Sequence, residues 1–301
     1  MNADTMNLLA EKHPRLRPKN ENLLLKGPVN YVHEIVFDEI TPELVKKCAA
    51  ATKGACGPSG VDADEWRRIL DSNIYGDTGS DLRRAVAQMV KQLCMIEMEK
   101  VNQCATLEVL MSCRLIPLDK CPGLRPIGIG EVLRRIMGKC VMAVLKKDVL
   151  EAAGNLQLCA GQKYGCEIAV HAMNDIFNSD DCEGVLQIDA KNAFNSLNRT
   201  VMIHNIKIIC PTIATYDSNC YSRPARLFVL GGAEILSEEG TTQGDPIAMA
   251  VYALGITSLM STINSSFLYT SHSSDSSNTT KQVTYADDLI GAVKLKELRQ
   301  W

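Results

Sequence analysis

Gln282-Val-Thr-Tyr-Ala-Asp-Asp-Leu-Ile-Gly-Ala-Val293 decides the fold, because two short apolar runs in this stretch meet at an acidic dipeptide. Such a pattern predicts a β-hairpin with carboxylates at its tip. Well upstream, Gly184-Val-Leu-Gln-Ile-Asp189 predicts a short buried strand that also ends on a carboxylate. Ionised carboxylates in a core need compensation, so these aspartates either separate into solvent or gather around cations.

Strand geometry indicates which of these aspartates would share a cation. Adjacent side chains of a strand point to opposite faces, so Asp287 and Asp288 converge only if they lie at the turn. Asp189 and Asp287 are therefore the favoured shared ligands. Oxygen ligands suit Mg²⁺, and two such ions about 4 Å apart activate a hydroxyl and neutralise a transferred phosphoryl group. An ordinary acidic hairpin turn without a ligand is the alternative.

Working outward, the chain divides into three regions. Residues 1–53 predict an N-terminal extension that is poorly structured in part. Residues 54–181 predict helices around a hairpin whose apolar runs are 114–120 and 124–130. Residues 182–301 predict an antiparallel sheet backed by helices, with a flexible insertion rich in serine and threonine at 261–280.

Charge and hydropathy narrow the classes of protein. The net charge of −3 argues mildly against nucleic-acid binding. Residues 111–150 nevertheless carry a local excess of lysine and arginine, which predicts either a phosphate-binding patch or a solvated helix face. No apolar run is long enough to span a membrane and the N-terminus lacks a signal peptide, so we expect an intracellular protein without membrane contact. Nucleus and cytoplasm are not distinguished.

The twelve cysteines stand at irregular spacings without a Cys-x-x-Cys pair. That short spacing is what most structural zinc sites need, so a zinc site is disfavoured. Nothing marks an oxidising compartment, and we expect reduced cysteines that serve as small apolar residues.

Several motifs, in a fixed order, resemble those of reverse transcriptases. Tyr285-Ala-Asp-Asp288 is similar to the palm hairpin signature of that family, and Asp189-Ala-Lys-Asn-Ala-Phe-Asn195 looks like its first catalytic strand. Between them, Gly240-Thr-Thr-Gln-Gly-Asp-Pro246 resembles the loop that braces template and incoming nucleotide, although Thr-Thr is unusual before the glutamine.

The resemblance extends upstream to residue 54. Arg114–Lys120 and Leu124–Ile127 look like the fingers segments, and the stretch from Gln162 to His171 resembles the template-contacting region. Gly57-Pro-Ser-Gly60 ahead of Trp66 is similar to the opening segment of non-LTR retrotransposon polymerases. The resemblance implies an α+β fold, a right-hand polymerase with fingers at 54–181 and an antiparallel palm sheet backed by helices from 182 onward. It also implies that the chain stops before the thumb.

The resemblance assigns site residues one by one. The catalytic acids would be Asp189, Asp287 and Asp288, which with the Ala190 carbonyl would hold two Mg²⁺ ions, Mn²⁺ being a substitute. The incoming nucleotide would contact Lys120, Arg125, Phe194, Gln243 and Gly244. The template would contact Gln162, Tyr164 and Gly165.

Two of these assignments, and the role of the neighbouring Asp245, have structural alternatives. Phe194 would exclude the ribose 2′-hydroxyl, which implies dNTP use, or it is a plain core phenylalanine. Lys120 would bind the triphosphate beside Arg125, whose planar guanidinium suits phosphate better, or it is a solvated hairpin lysine. Asp245 would belong to the nucleotide loop or only cap the helix that begins near Pro246.

The implied function is that of the RNA-directed DNA polymerase core of a retrotransposon, transferring nucleotides from dNTP to a primer 3′-hydroxyl. Its partners would be an RNA template, a DNA primer and dNTP, and protein partners are left open. The alternative from another class is a truncated, noncatalytic retroelement remnant with at most weak nucleic-acid binding. A viral RNA-dependent RNA polymerase would normally carry a second aspartate where this chain has Phe194.

Overall fold

The structure, a computed structural model, describes residues 3–71, 75–101, 104–121, 123–180, 182–270 and 281–295, and its fold is mixed α+β. The helices are α1 (Ala3–Glu11), α2 (Pro42–Ala50), α3 (Ala63–Asp71), α4 (Gly76–Met95), α5 (Cys104–Met111), α6 (Val132–Ala153), α7 (Gly165–Phe177), α8 (Ala193–Ser196), α9 (Arg199–Ile209), α10 (Pro211–Tyr221) and α11 (Ala248–Thr270). The strands are β1 (Cys113–Asp119), β2 (Leu124–Gly130), β3 (Gly184–Asp189), β4 (Ala225–Val229), β5 (Glu234–Ser237), β6 (Lys281–Tyr285) and β7 (Asp288–Val293).

Local sequence signals set several helix boundaries. Asp62 caps α3, because its Oδ1 accepts the backbone N–H groups of Asp64 and Glu65, and Glu65 returns a bond to the Asp62 N–H. Asn198 caps α9 by accepting the N–H of Val201. Pro211 then begins α10, as a proline at the first helical position can. The sequence predicts helices that begin after Asp62 and near Asn198, and both are confirmed, whereas α10 was not predicted.

The hairpin at 113–130 belongs to a larger sheet than expected. Strands β1 and β2 pair antiparallel, β1 pairs parallel with β4, and β4 pairs antiparallel with β5, which gives the order β2-β1-β4-β5. Pairing of β1 with β4 stops at Leu115, so Pro117 interrupts no ladder on that side. Strands β4 and β5 were not predicted from the sequence.

The second sheet carries the acidic residues in the order β3-β7-β6, and both of its strand pairs are antiparallel. The expectation that β3 is buried was wrong. As an edge strand it leaves Val185, Leu186 and Ile188 between 40% and 42% exposed. Leu289 of the neighbouring β7 is buried against Tyr252 and Ile256 of α11. The helix therefore packs on the middle strand β7, while the edge strand β3 stays exposed.

One continuous hydrophobic core joins the regions that the sequence separated. It takes residues from α2, α4, α6, α9, α10 and α11, from Phe37 to Ala286. In the N-terminal region, Phe37, Ile40 and Val45 lie in this core, and Leu9 of α1 packs on the first sheet. All cysteines whose side chains the structure describes are free.

The expected insertion at 261–280 was partly wrong, because residues 261–270 continue α11. The remainder, 271–280, lies outside the described residues. Among the described helices, none combines the length and apolar character needed to cross a membrane.

Asp217 on α10 offers a test of the core electrostatics. It is fully buried, and neither carboxylate oxygen has a hydrogen-bond partner in the part of the chain that the structure describes. Burial raises the pKa of Asp217 from 3.8 to about 8, against the opposing pull of Arg199. The folded carboxyl thus holds its proton across a range in which the unfolded one is ionised, so stability falls as the pH rises from about 4 to about 8.

We expect Asp217→Asn to flatten this pH dependence and to raise the free energy of unfolding above pH about 8. Urea denaturation at pH about 5, 7 and 9 would measure it, with Asp175→Asn on the exposed side of α7 as the control. A variant that kept the slope of the parent protein would contradict the assignment.

Candidate active site

The acidic dipeptide lies where β6 turns into β7. Tyr285 pairs with Asp288, which leaves Ala286 and Asp287 as the two turn residues. Ala286 has a φ of 55°, and Asp287 is not among the described residues with positive φ, a combination typical of a type II′ turn. Glycine is the usual residue at the first of these positions, so the alanine is held in a strained conformation.

The strand register brings Asp189 beside this turn. Asp189 of β3 is the direct cross-strand partner of Asp288, and the Ala190 N–H donates to the Asp287 carbonyl oxygen at 3.3 Å. Directly opposed residues of an antiparallel pair project from the same face. The sequence predicted that Asp189 and Asp287 would bind the same cation, whereas the register places Asp288 opposite Asp189.

The three carboxylates have no counterion among the described residues. None of the side chains of Asp189, Asp287 and Asp288 forms an ion pair or hydrogen bond with another described residue. Within the described part of the chain, no three His, Cys, Asp or Glu side chains form a group that could hold a metal ion. The expected convergence of three acids is therefore not confirmed, and it stays a prediction.

Gln157 holds the strained turn through its side-chain amide. Its Nε2 donates to the Ala286 carbonyl oxygen at 3.0 Å, and its Oε1 accepts the Ala286 N–H at 2.8 Å. Gln157 is 1% exposed, so both bonds are shielded from water. Leu158 adds a backbone bond to Thr284. The segment before α7 thereby fixes the position of the acidic turn.

A cleft of about 340 Å³ opens beside the acidic turn. Five of the residues that line it, from four separate segments, were singled out from the sequence: Arg125, Phe194, Gln243, Gly244 and Asp287. The other lining residues are Asp245, Ala248 and Met249. The fold thus brings four of the five expected nucleotide contacts to one catalytic candidate.

Phe194 borders this cleft from a supported position. Its ring stacks on Tyr252 of α11 with centroids 4.4 Å apart. Burial and then the negative charge of Asp287 raise the pKa of Tyr252, so the phenol beneath Phe194 stays neutral. Phe194 is therefore both a packed side chain and a wall of the cleft, and the two readings from sequence are compatible.

A buried ion pair anchors the loop that carries Gln243 and Gly244. The Asp245 carboxylate bonds the guanidinium of Arg134 from α6, and the two side chains are 3% and 2% exposed. Tyr221 donates to the same carboxylate at 2.9 Å. Burial lowers the pKa of Arg134, but Asp245 together with Tyr221, Cys113 and Cys220 raises the pKa above its ordinary value. Asp245 also accepts the Ile247 N–H, so it caps α11 and joins the loop to α6.

Arg199 holds residues 237–240, which precede this loop. Its guanidinium donates to the carbonyl oxygens of Ser237, Glu239 and Gly240, and Glu239 accepts the Arg199 N–H at 2.7 Å. Burial lowers the pKa of Arg199 to about 10, which still leaves it cationic at neutral pH. Arg134 and Arg199 both lie against the Tyr221 ring, 5.7 and 5.4 Å from its centroid.

The remaining sequence candidates lie at the margin of the site. Lys120 is exposed at the end of the β1–β2 hairpin and does not line the cleft. Gln162 is half-buried and Tyr164 is 62% exposed at the start of α7. A Cβ on Gly165 would clash with the Leu158 carbonyl oxygen and lie 3.4 Å from the Tyr285 ring, so the glycine lets α7 approach the acidic hairpin.

Three basic residues of the stretch at 111–150 are occupied by bonds to other segments of the protein. Arg134 serves the buried ion pair, Arg135 donates to the carbonyl oxygens of Lys53 and Ala55, and Lys139 donates to that of Ala51. The positive patch inferred from composition is correspondingly smaller. Arg125 remains without an ion pair among the described residues.

Backbone strain marks the same segments. Of the described non-glycine residues, three have positive φ: Tyr164, Asn192 and Ala286. Each lies in a stretch that the sequence assigned to the site. Such conformations cost on the order of 1–3 kcal/mol and cluster where geometry serves function.

Gln157, Arg134, Arg199 and Glu239 were not identified as site residues from the sequence. Arg134 was counted only as part of a charged stretch. Their roles depend on contacts between distant segments, which spacing does not reveal. The one available signal was charged residues inside otherwise apolar helical patterns, since an arginine there needs a buried partner.

A substitution at Gly240 tests the contact between the segment 189–195 and the loop 240–246, the two segments assigned to nucleotide binding from the sequence. Its φ is 64°, and an added Cβ would clash with the Phe194 carbonyl oxygen and lie 2.6 Å from Asn195 Cα. We expect Gly240→Ala to cost about 1–3 kcal/mol of unfolding free energy more than Gly232→Ala, because overpacking adds to strain. Gly232 is the matched control, with a φ of 86° and no atom within 4 Å of an added Cβ. Equal losses in chemical denaturation would show that the close approach does not matter.

The chain was also compared with known proteins. No protein-family model matches it, and no curated protein matches it significantly. Functional interpretation therefore depends on the motifs and the geometry described above.

Proposed function

We propose that this chain is the catalytic core of an RNA-directed DNA polymerase of the non-LTR retrotransposon kind, with fingers in residues 54–181 and palm from residue 182 onward. The observation that carries the proposal is the cleft beside the acidic turn. Arg125, Phe194, Gln243 and Gly244 were chosen from sequence motifs alone, and they line one cavity with Asp287. Unrelated segments would have no reason to converge in this way.

The acidic side chains fit a hard divalent cation. Asp189 and Asp288 lie opposite each other on adjacent strands, and Asp287 lies in the turn just before Asp288. None of the three carboxylates forms an ion pair with another described residue. Two carboxylates would suffice, because Mg²⁺ commonly keeps waters and takes substrate phosphates as its other ligands. When bound, the two ions would lower the charge barrier for attack of a primer 3′-hydroxyl on the nucleotide.

The other residues of the cleft would bind and orient the nucleotide. Arg125 is an exposed guanidinium at the rim, suited to bidentate contact with a triphosphate. Phe194 is held against Tyr252 and would occupy the space of a ribose 2′-hydroxyl. Gly244 permits close backbone approach, and the Asp245–Arg134 pair keeps its loop in place. Fixed positions of this kind are a large part of phosphoryl-transfer catalysis.

We expect Mg²⁺-dependent incorporation of dNTP on a primed RNA template, and we expect Asp287→Ala to abolish it. Loss of a metal ligand should lower the rate by about a hundredfold or more without altering the thermal unfolding midpoint. Asp175→Ala, an exposed acid on α7, is the matched control and should retain the rate of the parent protein. Absence of incorporation by the parent protein at any concentration would favour the noncatalytic remnant instead.

Phe194 should determine the choice between deoxyribose and ribose. We expect Phe194→Ala to raise rNTP incorporation relative to dNTP, because the smaller side chain frees space beside the sugar. Primer extension with each nucleotide class would measure the ratio, and Tyr252→Phe keeps the stacked ring as a control. Unchanged discrimination would exclude the sugar-gate role.

A further inference from the structure

Residues 12–26 form a strap that runs from α1 across the surface next to the candidate site. Apart from a short 3₁₀ turn at Glu21–Leu23, the strap has no regular secondary structure. It is fixed instead by hydrogen bonds to two segments. One is the stretch 192–205, which follows Asp189, and the other is the pair Glu238–Glu239, which precedes the Gln243 loop.

The first set of contacts holds residues 192–198, the turn that carries Phe194. Asn192, which has positive φ, donates its side-chain amide to the Lys12 carbonyl oxygen at 2.9 Å. Arg17 donates through its guanidinium to the Ser196 carbonyl oxygen. Asn198 donates to the carbonyl oxygens of Arg17 and Pro18. The strap therefore bonds both ends of the Phe194 turn.

The second set of contacts holds the approach to the Gln243 loop. Glu238 accepts the Leu16 N–H and the Arg15 guanidinium, both at 2.8 Å. Glu239 has a fully buried side chain and accepts the Arg17 N–H at 2.7 Å, while its other oxygen accepts the Arg199 N–H. One carboxylate thus connects the strap, the start of α9 and the loop.

The strap also reaches the inner side of the Gln243 loop. His13 shares a small cavity with Asn195, Thr241, Thr242 and Gln243, and its Nδ1 lies 2.8 Å from the Leu9 carbonyl oxygen. The Gly240 N–H donates to the Leu197 carbonyl oxygen and the Thr241 N–H to that of Phe194. The strap thereby spans a junction at which the two nucleotide segments already contact each other.

We infer that the strap is a positioning element of the nucleotide pocket, holding the Phe194 turn and the Gln243 loop at a fixed separation. The effect on catalysis rests on the proposed polymerase function, whereas the structural coupling of the strap to the Phe194 turn and the Gln243 loop does not. Its physical basis is that charged and backbone hydrogen bonds from one segment are shared between two others. Substitutions that loosen the strap should therefore disorder both segments together, although the substituted residues lie in neither segment.

The double variant Arg15→Ala/Arg17→Ala removes the strap side chains that contact Glu238, Glu239 and Ser196. The matched control is Lys19→Ala/Lys26→Ala, which removes the same charge from the same strap. Lys19 pairs with Glu21 inside the strap, and Lys26 is exposed. Arg15 and Arg17 are 84% and 51% exposed, so the test variant should fold.

Hydrogen–deuterium exchange gives the readout that does not need activity. We expect the double arginine variant to speed amide exchange roughly tenfold in residues 192–198 and 238–244, and the lysine variant to leave both unchanged. Faster exchange in the strap alone would overturn the inference. If the parent protein incorporates no nucleotide, the proposed function fails and exchange still decides the coupling.

Steady-state kinetics gives the second readout. We expect the arginine variant to raise the KM for dNTP roughly tenfold with a smaller change in the apparent affinity for primed template. A lowered unfolding midpoint with an unchanged KM would assign the strap a purely structural role and overturn its place in the nucleotide pocket.

Discussion

The buried pair of Arg134 and Asp245 is the interaction on which the site depends. It joins α6, a long helix of the core, to the loop beside the cleft, and both side chains are shielded from solvent. A buried pair of this kind adds little to net stability, but removing one partner costs about 3–5 kcal/mol because the other charge is left without compensation. Its value here is geometric, since the carboxylate also caps α11 and bonds Tyr221.

The same means of support recurs around the cleft. Gln157 holds the acidic turn, Arg199 holds the residues before the Gln243 loop, and Glu239 joins that loop to α9. In each case a shielded polar side chain bonds backbone groups of a segment that has no regular hydrogen bonding of its own. Apolar packing places the helices, while these bonds give the loops defined conformations. Strain at Ala286 is tolerated for this reason, because Gln157 bonds both backbone polar groups of that residue.

Sequence was most informative where a local signal has a direct physical cause. Asp62 and Asn198 mark helix starts, and the alternation around the acidic dipeptide gives a hairpin. Prediction from sequence failed where contacts with distant segments determine the structure. The residues of β3 are apolar and predict a buried strand, but the position of β3 at the sheet edge exposes them. Strand β4 is short and pairs with β1, which is distant in sequence, and β5 pairs in turn with β4. The role of Arg134 likewise depends on a partner distant in sequence.

The exposed edge of the second sheet has a practical consequence. Strand β3 presents Val185, Leu186 and Ile188 to solvent and carries neither lysine nor proline between Gly184 and Ile188. Uncharged apolar edges of this kind recruit other strands, and natural proteins usually shield them. Concentrated preparations of the isolated chain are thus prone to self-association through this edge, and a charged substitution at Gln187 is a rational way to keep the protein in solution.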